Sequence, residues 1–341
     1  MKILIIQTAY LGDLILTTPL INQTKIAYPN SKISILVIPQ TSEILSGQKM
    51  IDEVIVYDKK KFGNLFTLSP YILNRIYSRF DIVLSPHQSP RSSLIAFFSG
   101  AKIRVGFRDS ALPFLFTHKA KYEGSHVVEK YSNLIDELGF NIPPLKLSLY
   151  ADNDGIERSI KLLGIKNKGL KPLVGVFPLS EWETKTPLIS LVIESLKKAM
   201  TKKLFIPIFL GKESNQVLSE FIKNEIDGID LMGKTDLHTL KGIVSLLDII
   251  ISGDSAGVHI ASAFSKPVVV IYGATRPGQG YYPWMVEYRA IMADVSCSPC
   301  TPHGSNRCPL GHFNCMKGIS QVDLTDSIIQ LLNHKSDNHK K

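Results

Sequence analysis

The chain has 341 residues and nowhere offers the ~18 uninterrupted apolar residues that a membrane-spanning helix requires. Its opening "KILII" is too short for the apolar core of a secretory signal, and no small-residue cleavage site follows. The expectation is a cytoplasmic protein with no transmembrane segment. Cysteine is absent from the first 296 residues; all four thiols fall in "CSPCTPHGSNRCPLGHFNC", as Cys297, Cys300, Cys308 and Cys315. That placement argues against a disulfide framework, and the C-x2-C opening points to a metal ligand set. The later spacings lack the second close pair of a zinc ribbon, so two readings stand: a structural metal site, with His303 and His312 as substitutes, or reduced thiols in a compact loop. Acids are scarce locally. From Lys59 to Lys130 twelve basic residues (Lys59, Lys60, Lys61, Arg75, Arg79, Arg91, Lys102, Arg104, Arg108, Lys119, Lys121, Lys130) face four acids (Asp81, Asp109, Glu123, Glu129). Such an excess favours an anionic partner: nucleic acid, an anionic membrane or a phosphorylated substrate. A solvated face is the plainer alternative.

What is present is a folded, two-domain composition: 44% hydrophobic and 20% charged residues in a chain longer than one core usually supports. Short β-branched runs at 2–8, 32–38, 53–58, 80–85 and 101–107 alternate with spacers mostly of helical length, the pattern of a parallel sheet covered on both faces. A proline-containing stretch without sustained period, 138–155, marks the domain boundary. A second cycle follows at 172–178, 203–211, 228–233, 247–255 and 266–273, and residues 322–341 read as an amphipathic helix with a frayed tail. The expected fold class is therefore α/β, with two doubly wound Rossmann-like domains facing a cleft and functional residues just after the strands. The domains are placed at 1–150 and 151–320, with the helix and tail at 321–341.

Three post-strand loops of the second half carry anion-binding chemistry. In "GDSAGVHIASAF" the residues Asp254, Ser255, Ala256 and Gly257 lead into a helix whose free N–H groups favour a phosphate, with His259 one turn in; capping alone accounts for one of them. In "LSEWETKTP", Ser180 and Lys185 precede a helix that Pro187 is expected to open, and Lys185 suits a diphosphate, although a solvated lysine is common there. In "LGKESNQ", Glu213 suits a ribose diol, or complements a helix dipole as a first-turn acid. The remaining site residue lies near the start. Asp13, in "AYLGDLILTTPL", follows the first strand, where it is either a helix N-cap or a carboxylate able to take a proton from a hydroxyl nucleophile.

Taken together, "GDLILTTPL", "RVGF", "EKYSNLIDELG", the loop ending in Lys185, "GDSAGVHIASAFSKPVVVIYGATRP" and the cysteine segment resemble the bacterial ADP-heptose:lipopolysaccharide heptosyltransferases, glycosyltransferase family 9, and the cysteine segment resembles the heptosyltransferase II branch. The resemblance spans nearly the whole chain. It implies a GT-B fold, an N-terminal domain for a lipopolysaccharide inner-core acceptor, a C-terminal domain for ADP-heptose, no required cofactor or metal, no nucleic-acid partner, and work at the inner face of the inner membrane. It also implies roles: Asp13 as base, Lys185 on the diphosphate with Ser180 in the same loop, Glu213 on the ribose, and Asp254, Ser255 and His259 in the donor site. Ala256 stands where the family usually has glycine, and "KTPLIS" lacks the tryptophan often found after the lysine. A sugar-nucleotide epimerase of the same fold, or a non-catalytic binder of anionic glycolipid, are the rival readings.

Overall fold

The computed structural model describes residues 1–58, 70–164 and 171–338; Lys59, Lys60 and Lys61 of the basic series lie outside them. Contacts divide the chain into two units, Met1–Tyr150 and Ala151–Lys341.

In the first unit the strands are β1 (Lys2–Ile6), β2 (Lys32–Val37), β3 (Glu53–Val56), β4 (Ile82–Leu84), β5 (Ile103–Phe107) and β6 (His118–Ala120), and the helices are α1 (Leu11–Leu16), α2 (Thr18–Ala27), α3 (Pro39–Ser42), α4 (Pro70–Ile76), α5 (Pro90–Phe98) and α6 (Val127–Asp136). The sheet is parallel throughout, in the order β3-β2-β1-β4-β5-β6, with Ile3 level with Ile33 on one side and Ile82 on the other. Ile3, Leu4, Ile5 and Ile6 are fully buried because helices cover both faces, which is why β1 is an unbroken apolar run rather than an alternating one. Leu4, Ile6, Leu36 and Val83 pack with Ile72, Ile76 and Ile95 of α4 and α5. After α6 the chain runs without regular structure, strapped to α2 by side chains: Gln23 Nε2 donates to the carbonyls of Ile142 and Pro143 (2.7 and 3.1 Å), and the Ser148 N–H donates to Thr18 Oγ1 (3.1 Å).

The second unit repeats the plan with β7 (Leu173–Phe177), β8 (Ile206–Phe209), β9 (Ile229–Asp230), β10 (Ile249–Gly253), β11 (Val268–Tyr272) and β12 (Tyr288–Met292), and with α7 (Asn153–Leu163), α8 (Ile189–Lys202), α9 (Gln216–Glu225), α10 (Leu237–Leu246), α11 (Ala256–Ala263), α12 (Asn314–Lys317) and α13 (Gln321–Asn338). Its order, β12-β11-β10-β7-β8-β9, is the first sheet's order read from the other edge. Val176, Ile251 and Ile271 form one core with Leu196 of α8, Leu218 of α9 and Leu324, Ile328 and Leu331 of α13. On the other face α10 crosses α7 so closely that a Cβ on Gly242 would sit 2.2 Å from the Gly155 carbonyl. Among the described residues no helix is long and apolar enough to cross a membrane.

Candidate functional site

In each sheet the chain builds outward in one direction, returns, and builds in the other, so the loops after two adjacent central strands diverge. In the first unit these strands are β1 and β4, in the second β7 and β10. Ligands of doubly wound sheets bind at this switch point, beyond the carboxyl ends. Most of the expected residues lie there.

In the second unit, the loop after β7 brings Lys185 Nζ to 2.9 Å from Asp254 Oδ2, just past β10, with the two side chains only 14% and 8% exposed. Thr275 donates a 2.6 Å hydrogen bond to the same Oδ2. Lys185 is thus a fixed cation rather than a mobile one. The loop folds on itself: the Ser180 N–H donates to Thr186 Oγ1 (3.3 Å), and the Trp182 N–H donates to Ser180 Oγ (3.4 Å). Glycine makes room for it. A Cβ on Gly253 would lie 2.4 Å from the Lys185 carbonyl, and one on Gly304, where φ is +95°, would lie 2.7 Å from Lys185 Cδ. Pro187 does not open the following helix; α8 begins at Ile189 with Leu188 as N-cap, because the proline ring packs toward Gly253 instead.

Ser255 is the N-cap of α11, its Oγ accepting from the Gly257 N–H (3.4 Å) and lying 3.0 Å from Ser252 Oγ. The cap is therefore serine, which leaves the Asp254 carboxylate to the lysine. Ala256 opens the helix and His259 is buried one turn in. Gly257 is small because Ser252 Oγ and the Phe177 ring stand within 2.8 and 2.9 Å of where its Cβ would be. Glu213 stands apart from this group. Its side chain is 80% exposed, pairs with neighbouring Lys212 at 3.8 Å, and precedes α9 rather than lying in its first turn. Sequence reasoning did not find Tyr272: at the end of β11 it is buried, its hydroxyl has no hydrogen-bond partner among the described residues, and burial together with the Asp254 charge pushes its phenol above the ordinary range.

In the first unit, Asp13 is not a cap. Tyr10 is the N-cap of α1 and Asp13 lies in the first turn, where a carboxylate complements the helix dipole. Buried Gln7 sets this turn: its Oε1 accepts from the Ala9 N–H (3.3 Å) and its Nε2 donates to Thr17 Oγ1 (2.9 Å), while Thr17 donates to the Asp13 carbonyl (2.8 Å). Beside it, after β4, His87 Nδ1 lies 3.0 Å from Thr8 Oγ1 and 3.1 Å from Ser92 Oγ. Ser89 caps α5, whose first turn carries Arg91, and the buried Nε of that arginine has no hydrogen-bond partner among the described residues. The sequence signal for this second cluster was the "SPHQSPRSS" run after a strand, a serine-rich cap with one histidine and one arginine.

The cysteine segment lies against the Lys185 loop. The Thr184 N–H and Oγ1 both donate to the Ser305 carbonyl (3.1 and 2.9 Å), the Ser305 N–H donates back to Thr184 Oγ1 (2.8 Å), and the Cys300 N–H donates to the Ala274 carbonyl (3.0 Å). All four thiols are free, and among the described residues no group of three or more His, Cys, Asp and Glu stands so as to hold a metal ion. Their environments differ. The backbone N–H of Phe313, with those of Leu310, His312 and Gly311, holds the Cys308 thiol below its usual range, whereas burial pushes Cys300 and Cys315 up.

Residues 74–310, more than half of the chain, match the family model described as glycosyltransferase family 9 (heptosyltransferase). Lipooligosaccharide heptosyltransferase 2 of Haemophilus ducreyi is 26% identical over 81% of this chain and 84% of its own. The fold is that of two solved proteins: a glycosyl transferase family 9 protein from Veillonella parvula (TM-score 0.83, 21% identity, 98% of this chain and 97% of that one) and the E. coli ADP-heptose LPS heptosyltransferase II (TM-score 0.79, 19% identity, 98% and 100%). Two Rossmann-like units of GT-B type, built on switch points that carry Asp13 in one sheet and the Lys185–Asp254 pair in the other, agree with the match that runs across both: the chain belongs to glycosyltransferase family 9, the heptosyltransferases, and is a glycosyltransferase.

Proposed function

We propose that this chain transfers L-glycero-D-manno-heptose from ADP-heptose to the lipopolysaccharide inner core, with inversion at the anomeric carbon, working in the cytoplasm at the membrane face. The observation that carries the reading is the buried Lys185–Asp254 pair at the second switch point, next to the N-terminus of α11. A diphosphate placed there meets one fixed ammonium and the positive end of the α11 dipole. In this reading Ser180, Ser255, Ala256, Gly257 and His259 line the donor site, and Glu213, which stands apart on the exposed loop after β8, would have to swing in to meet the ribose.

The chemistry needs little else. Asp13 takes the proton of an acceptor hydroxyl, the oxygen attacks the anomeric carbon, and the bond from that carbon to the diphosphate oxygen breaks, releasing ADP. Lys185 and the helix end stabilise the charge that grows on the leaving diphosphate, an electrostatic contribution that requires no reorganisation because Lys185 is already held in place. The first unit takes the acceptor, whose anionic groups match His87 and Arg91 after β4. The test is Asp13→Asn with ADP release as the readout: turnover should fall ~10²- to 10⁴-fold while ADP binding stays that of the parent enzyme. Near-normal turnover removes Asp13 from the role of base.

A further inference from the structure

Four of the exposed aromatic rings described in the first unit stand together, while Tyr10, at the start of α1, and Tyr150, at the end of the unit, stand apart from them. Phe97 and Phe98, at the end of α5, are 45% and 40% exposed, Tyr77 just past α4 is 65% exposed, and Phe114, in the turn before β6, is 71% exposed. Contacts join them. The Phe97 and Phe98 rings lie 5.4 Å apart, the Ser78 N–H donates to the Ser99 carbonyl (2.8 Å) and so sets Tyr77 beside the end of α5, and α5 packs on the Pro113–Leu115 turn. Cations border these rings. The Arg104 guanidinium sits 5.8 Å from the Phe97 ring centroid and donates to the carbonyls of Leu115 and Ala101, and among the described residues it forms no ion pair with a carboxylate. Lys102, two positions before Arg104, and Arg79, two positions past Tyr77, are exposed.

Exposed rings interleaved with unneutralised cations are the chemistry of an anionic bilayer interface, where rings enter the headgroup layer and each basic residue adds attraction. We infer that the face formed by Tyr77, Phe97, Phe98 and Phe114 with Lys102 and Arg104 docks the first unit on an anionic phospholipid surface. The inference rests on the proposed function, because an acceptor built on a lipid lies at a membrane that no described helix of this chain can span. The geometry agrees with that use. α5 runs from this face up to Ser89 and Arg91 beside the β1 turn, nine residues, or ~13 Å of helix, a height that an inner core of a few sugars projecting from the headgroups can reach.

Flotation of the full chain with phosphatidylcholine vesicles, with and without about one third phosphatidylglycerol, tests it. The parent protein should bind only the anionic vesicles and release with salt; Phe114→Ser, at a position too exposed to disturb the core, should weaken binding about tenfold, and Lys102→Glu at least about fivefold. Turnover of a deacylated, water-soluble acceptor should be unchanged in both. Absence of parent binding, or variants that bind like the parent, overturns the inference. So does a variant that changes the oligomeric state without changing vesicle binding, since the face would then join two copies of the chain. Vesicle binding and soluble-acceptor turnover are read separately: an enzyme that binds anionic vesicles but never turns over the acceptor refutes the functional reading and leaves the docking face standing.

Discussion

Replacing Lys185 by methionine removes one partner of an ion pair whose members are 14% and 8% exposed. Breaking a pair this buried costs ~3–5 kcal/mol, because the remaining charge keeps its desolvation and loses its counter-ion. Here Thr275 still donates to Asp254, which puts the cost near the lower end, ~3 kcal/mol. At about 2–4 °C per kcal/mol for a unit of this size, the melting temperature should drop by roughly 6–12 °C. Asp254→Asn, which strands the lysine instead, should behave similarly. The double variant Lys185→Met/Asp254→Asn removes both charges and should recover most of the stability, leaving a coupling energy well beyond the ~0.5 kcal/mol scatter of independent sites. ADP binding should not follow. Loss of a charge-assisted hydrogen bond of ~1.5–3 kcal/mol weakens ADP by about tenfold or more in Lys185→Met, and the double variant should stay below the parent. Thermal melts and calorimetric titration with ADP read the two quantities independently. Additive stabilities would show that the two side chains are not paired, and parent-like ADP affinity in Lys185→Met would place the lysine outside the diphosphate site.

Gly304→Ala should raise the KM for donor and lower the melting temperature, because the residue sits at φ +95° and its Cβ would press on Lys185 Cδ; steady-state kinetics and a melt check both. Cys308 should alkylate before Cys300 and Cys315 near neutral pH, since backbone N–H groups favour its thiolate while burial disfavours theirs; mass spectrometry of a timed iodoacetamide reaction gives the order. Asp152, which caps α7, lies below the usual carboxylate range, chiefly through its hydrogen bond with His238 and also through the Gly155 N–H. A depressed folded-state value means its contribution is fully present above about pH 4 and is lost as pH falls through the lower folded value. Melting curves of Asp152→Asn should therefore lie below the parent at neutral pH and converge with it in acid; a gap that persists at low pH would contradict the linkage.

Ten strands fall in runs read from the sequence, the edge strands β3 and β9 among them, and the central ones, β1, β2, β7, β10 and β11, are the clearest because both sheet faces bury them; the two that were not read, β6 and β12, stand at sheet edges and are short or mixed ("HKA", "YRAIM"). Site positions after strands were legible for the same reason, since they follow the ends of those runs. Their partners were not. Lys185 and Asp254 are 69 positions apart and meet only because β7 and β10 are neighbours, and the Thr184–Ser305 bonds that seat the lysine loop on the cysteine segment span 121 positions. Local reasoning also favoured a cap for Asp13, and it was wrong there because Gly12 is already inside α1, two residues past Tyr10. The same local view could not show that Gln7 and Thr17, ordinary polar residues in the sequence, fix the turn on which Asp13 stands.

The central claim is acceptor-dependent heptosyl transfer, and the most direct measurement is ADP release from ADP-heptose with and without deacylated inner-core acceptor, followed by mass analysis of the sugar products. ADP release should require the acceptor, the acceptor should gain one heptose, and both should be almost lost in Asp13→Asn. ADP release or donor epimerisation that proceeds equally well without acceptor would contradict that claim.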